Sequence, residues 1–102
     1  MKNLADRAIE ILEFEGITNP VLERKTGIKQ ENWKSVRYRR TRFNQEHIEA
    51  IGKLWPKYVY WLVTGKTIKE VNQIKPGDSD EDYPYSIEEI RNFIEELKKK
   101  ER

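Results

Sequence analysis

Three glycines, Gly16, Gly27 and Gly65, each close a short stretch whose apolar residues recur at helical spacing. Such punctuation confines the chain to short helices joined by tight turns. Asn3 is placed to cap the first helix, with Asp6 in the first turn against the helix dipole. Ala5, Ala8, Ile9 and Leu12 then fall at i, i+3, i+4 and i+7, one apolar stripe that runs out near Gly16. Ile17 plugs the connection that follows. Thr18 or Asn19 caps a second helix, whose first turn holds Pro20, where no intrahelical donor is lost. Val21, Leu22 and Thr26 form its inward side, Gly27 supplies a left-handed turn, and Ile28 returns the chain to the core. A third helix runs from Lys29 or Gln30 to Tyr38 with Trp33 and Val36 inward, and Arg39 to Phe43 reads as a basic loop.

Asn44 caps a fourth helix, with Ile48, Ile51, Leu54 and Trp55 on its inward side. Pro56 opens a fifth and Gly65 closes it. The apolar run from Tyr58 to Val63 suits a strand equally well by periodicity, but proline inside the start and glycine past the end decide for helix. From Lys66 to Tyr85 the pattern fades into a connector marked by Pro76, Gly77, Pro84 and the acids Asp78, Asp80, Glu81 and Asp82. Ser86 with Glu89 then forms a capping box, and Tyr85 with Ile90 a hydrophobic staple. Ile87, Ile90, Ile94 and Leu97 follow the 3-4-3 spacing of an a/d seam. The whole reads as all-α, with a five-helix domain over 1–67, a connector over 68–85 and a C-terminal amphipathic helix over 86–102.

Composition narrows the function classes. With no Cys and a single His, His47, the chain has no thiolate zinc site, no cysteine nucleophile and no imidazole cluster. Gly65-Lys66-Thr67 resembles the end of a phosphate-binding loop, but position 60 is Tyr where that motif needs glycine. Carboxylate pairs such as Glu10 and Glu13 have no partnering base. The expectation is therefore a chain that is not an enzyme and takes no cofactor, metal or small-molecule substrate. The longest apolar run is far shorter than the roughly 20 residues of a membrane span, and no signal-peptide apolar region opens the chain. A cytoplasmic protein without a membrane partner is expected.

Charge points further. The net of +2 conceals a block from Arg24 to Arg42 in which eight bases face one acid, Glu31, for +7, while the remaining 12 bases and 17 acids leave −5 elsewhere. Seven excess positives on one stretch repel one another unless a polyanion compensates them. The second and third helices, pivoting on Gly27, have the order of a helix-turn-helix. Leu22, Gly27 and Ile28, the inward Trp33 and Val36, and the run Val59-Tyr60-Trp61-Leu62-Val63-Thr64-Gly65 together resemble the lambda-repressor-like (Cro/CI, XRE-type) DNA-binding domains of phage and bacterial regulators. The resemblance covers roughly Leu4 to Lys66. The chain departs from it at Glu23, where the family prefers alanine, and at Tyr38, Arg39 and Arg40, where a glycine usually ends the recognition helix.

The resemblance implies double-stranded DNA as partner, with Gln30, Glu31 and Ser35 reading bases. Glutamine suits adenine, and glutamate accepts from cytosine. Lys29, Lys34, Arg37 and Tyr38 complete the recognition helix, and Asn19, Arg39, Arg40 and Arg42 match phosphate-contacting positions. Gln30 and Glu31 are alternatively ordinary first-turn residues. Trp33, Trp55, Tyr58 and Trp61 read as core, and His47 as a surface or capping residue early in its helix. The seam Ile87, Ile90, Ile94 and Leu97 either forms a homodimer, the favoured reading, or folds back on its own domain. The acidic connector is a solvated linker or a shield for the basic face. These residues add up to a repressor that binds an inverted repeat as a dimer. The alternative is a protein-interaction module such as an antitoxin or a phage accessory factor.

Overall fold

A computed structural model describes residues 2–78 and 87–100, leaving aside the side chains of 87–90, 93 and 100. Every regular element is helical: α1 (Leu4–Phe14), α2 (Asn19–Thr26), α3 (Gln30–Arg37), α4 (Gln45–Leu54), α5 (Val59–Thr64) and α6 (Ile87–Lys100). The fold is all-α, as the spacing of apolar residues predicts. Pro56–Tyr58 forms a single 3₁₀ turn that leads into α5, so proline and glycine bracket a helix here and not a strand. The capping box and staple around Ser86 and the acids Asp80, Glu81 and Asp82 lie outside the described residues.

The N-termini follow the capping chemistry of the sequence. The Asn3 side chain accepts from the Asp6 N–H at 2.9 Å while Asp6 accepts from the Asn3 N–H at 3.0 Å, a reciprocal box. Asn44 and His47 repeat the arrangement on α4, with the imidazole Nδ1 accepting from the Asn44 N–H at 3.2 Å. Thr18 is the N-cap of α2 without a side-chain bond, and Pro20 sits in its first turn. At the other end of α1, Ile17 and Gly16 donate back to Leu12 and Glu13, and Gly16 takes φ +66°.

The core gathers Ala8, Ile11 and Leu12 of α1, Leu22 of α2, Ile28 of the turn, Trp33 and Val36 of α3, Ile51 of α4, and Tyr58, Trp61 and Leu62 near α5. The α1 stripe is thus turned toward Ile11; Ala5 and Ile9 are only half-buried. In α4, His47 joins Ile51 inside, while Ile48, Leu54 and Trp55 pack at the margin. Arg7 clamps α1 to α5: its guanidinium donates to the carbonyls of Leu62 at 2.9 Å and Val63 at 3.3 Å, and to that of Lys2 at 2.6 Å. Those α5 carbonyls have no intrahelical donor, so a cation there serves as a cap.

Residues 68–78, the start of the stretch read as connector, make contacts with the 3₁₀ turn and α5. Ile68 and Gln73 form an antiparallel bridge, Ile74 enters the core, and the Ile74 N–H donates to the Lys57 carbonyl at 2.9 Å. The Gln73 carboxamide accepts from the Tyr60 N–H at 2.9 Å and donates to the Pro56 carbonyl at 3.1 Å. It supplies the N-terminal cap that α5 lacks locally.

Candidate nucleic-acid interface

The turn between α2 and α3 sets the outward face of α3. Gly27 adopts φ +77° and its N–H donates to the Glu23 carbonyl at 2.8 Å. The Thr26 hydroxyl then joins three groups: it donates to the Leu22 carbonyl at 2.6 Å and accepts from the Ile28 N–H at 3.2 Å and the Trp33 indole N–H at 3.3 Å. Trp33 is fully buried, so Thr26 satisfies a donor that would otherwise be stranded in the core. The His47 ring meets Trp33 edge-on at 5.0 Å between centroids and Phe43 at 5.9 Å, tying α3 to α4. Burial depresses the His47 pKa, and nearby Glu46 offsets part of that shift. The ring is a buried cap, not a surface residue.

With Trp33 and Val36 anchored, Glu31, Lys34 and Tyr38 are exposed and Ser35 is half-buried beside them, all on one side of α3. Their spacing of i, i+3, i+4 and i+7 is that of a single helix face. Lys29 is exposed at the N-cap and Gln30 half-buried. Arg37 turns the other way. Its guanidinium is half-buried and donates to the Ile17 carbonyl at 2.5 Å, and desolvation lowers its pKa against the pull of Glu13. The Arg37 side chain thus forms a strut between α3 and the α1–α2 connection. Asn19 is half-buried in the first turn of α2, and its Oδ1 has no partner among the described residues.

The helix α3 ends without a glycine. Arg40 and Arg39 donate to the Ser35 and Val36 carbonyls at 2.9 and 3.2 Å, the paired bonds of a Schellman closure, and Arg39 takes φ +60°. Arg39 does at the end of α3 what Gly16 does for α1, at a backbone cost of about 1–2 kcal/mol for a side chain with Cβ. Its guanidinium forms an ion pair with Asp6. Arg40 lies over the Tyr38 ring, 6.0 Å from its centroid. Arg40 and Arg42 are exposed and form no ion pair among the described residues. Thr26, Asp6 and Gln73 carry roles that spacing alone did not disclose.

The same chain leaves apolar side chains outside: Val59 and Val63 on α5, and Ile94 and Leu97 on α6. Ile94 and Leu97 of the seam are therefore uncovered in the single chain; the side chains of Ile87 and Ile90 are not among those described. Among the described residues no helix is long and apolar enough to cross a membrane, and no group of three or more His, Asp or Glu is set to hold a metal.

No protein-family model matches this chain, and no curated protein matches it. Among solved structures it is similar to Pf6r from the filamentous phage Pf6 of Pseudomonas aeruginosa PA01, with 29% identity and a TM-score of 0.67. The match takes in 80% of this chain and 99% of that one, so a filamentous-phage protein shares this fold over almost its whole length.

Proposed function

We propose that the protein is a phage regulator that binds double-stranded DNA sequence-specifically, with α2, its turn and α3 acting as a helix-turn-helix and α3 entering the major groove. One observation carries this reading. An outward face of Glu31, Lys34, Ser35 and Tyr38, with Gln30 at its edge, is framed by the exposed Arg40 and Arg42 while Trp33 and Val36 lock the opposite face. Gln30, Glu31 and Ser35 read bases; Lys29, Lys34, Arg40 and Arg42 hold phosphates, with Asn19 at the start of α2. The likeness to a filamentous-phage protein supports a phage setting.

A homodimer held by α6 through Ile87, Ile90, Ile94 and Leu97 would set two copies of α3 roughly 34 Å apart on an inverted repeat. Bound over a promoter, such a dimer represses by occlusion.

The test is selection of bound sequences from a random duplex pool, followed by gel shifts. Gln30→Ala and Ser35→Ala should each relax preference at one position by roughly 1–3 kcal/mol. Uniform weakening on every duplex would place both residues on phosphates instead. Failure to enrich any sequence, with tight binding to a co-purifying protein, would favour an interaction module.

A further inference from the structure

Arg39 stands in the basic loop, yet its guanidinium is bound to the Asp6 carboxylate of α1. Both members of the pair are fixed from behind. Asp6 is locked into the α1 capping box through Asn3, and Arg39 into the Schellman closure of α3. The backbone hydrogen bond from Asn3, and then the Arg39 partner, hold the Asp6 carboxyl below its ordinary pKa, so it stays ionised at neutral pH. The pair nevertheless opens to solvent, with side-chain exposures of 53% for Arg39 and 30% for Asp6. It borders a groove between the start of α1 and the loop Arg39 to Phe43, lined by Asn3, Leu4, Arg40 and Arg42.

A guanidinium recognises a carboxylate and a phosphodiester by the same geometry, two oxygens against two N–H groups. A carboxylate tethered beside Arg39 acts at high effective concentration and needs no diffusion. We infer that Asp6 is an intramolecular competitor for the DNA backbone: it keeps Arg39 on the protein and withholds that cation from the phosphates. The loop then grips DNA with Arg40 and Arg42, whose charges have no such partner among the described residues. This inference rests on the DNA-binding reading and adds what limits it. One internal anion lowers affinity for any sequence equally, which leaves discrimination to α3.

The experiment measures binding of a short mixed-sequence duplex by fluorescence anisotropy over a range of salt, with thermal unfolding of each variant alongside. Asp6→Asn keeps an acceptor for the Asn3 N–H and removes the charge; Asp6→Ser is the second variant. Each should bind roughly fivefold tighter at 0.15 M salt, with a salt slope steeper by about 0.9, the signature of one further phosphate contact. The gain must depend on Arg39, so in an Arg39→Gln background the same substitutions should give clearly less. Equal gains in both backgrounds mean that Asp6 acts only through bulk charge, and overturn the inference. Weaker binding by a folded Asp6→Asn variant overturns it too, since Asp6 would then present Arg39 to DNA. If the unaltered protein binds no duplex even at low salt, the DNA reading falls and this inference with it.

Discussion

Replacing Thr26 by Val tests the turn on which the interface depends. The substitution keeps the shape of the side chain and removes the hydroxyl that accepts from the Ile28 N–H at 3.2 Å and the Trp33 indole at 3.3 Å. Trp33 has no solvent access, so its N–H is left without an acceptor in the core. A stranded buried donor costs about 1–3 kcal/mol. Both bonds are long, which places the sum for two donors at about 2–4 kcal/mol. In a domain of this size each kcal/mol lowers Tm by about 4–8 °C, so Thr26→Val should melt about 8–32 °C below the parent. Urea unfolding followed by circular dichroism reads the same loss as a lower midpoint with unchanged slope. Thr26→Ser retains the hydroxyl and should cost no more than about 1 kcal/mol, the worth of one buried methyl. A Thr26→Val variant within about 0.5 kcal/mol of the parent would refute the reasoning, as would a Ser variant that loses as much as Val.

Arg7→Ala removes the donor to the Leu62 and Val63 carbonyls and should destabilise the fold by about 2 kcal/mol in urea unfolding. His47 is neutral in the folded chain, since its buried ring accepts through Nδ1 and its pKa is lowered from 6.5. The unfolded chain therefore binds the proton first. Stability should be full above pH 6.5 and fall as pH drops from there toward the depressed folded-state value, a decline that His47→Gln should flatten. Ile90→Asp with Ile94→Asp should yield monomers by light scattering; an unaltered mass would remove α6 as the interface.

The order of helices was legible because each boundary rests on local chemistry: Asn3 and Asn44 cap, Gly16, Gly27 and Gly65 reverse the chain, and Pro56 starts a turn. The anchoring of α3 by Trp33 and Val36 follows from their spacing. What spacing does not reveal is contact between distant segments. Gln73 caps α5 from 13 residues beyond Tyr60, and Asp6 reaches Arg39 across 33 residues. Composition treats Arg37, Arg39 and Arg40 alike, whereas the fold turns one inward, pairs the second and exposes the third. After Lys66 the stretch is polar, and one buried side chain, Ile74, with a few backbone bonds ties residues 68–74 to the 3₁₀ turn and α5. Arg39 in the left-handed region is likewise invisible beforehand, because a residue with Cβ stands where glycine would avoid the strain.

The salt dependence of binding to a duplex carrying the selected sequence tests the central claim most directly. Four exposed cations around α3, namely Lys29, Lys34, Arg40 and Arg42, face the proposed phosphates. With Arg39 held by Asp6, log K should fall linearly with log salt at a slope of about −3 to −4 per copy. A slope near zero would contradict the account, because a face that displaces no counterions does not lie against the DNA backbone.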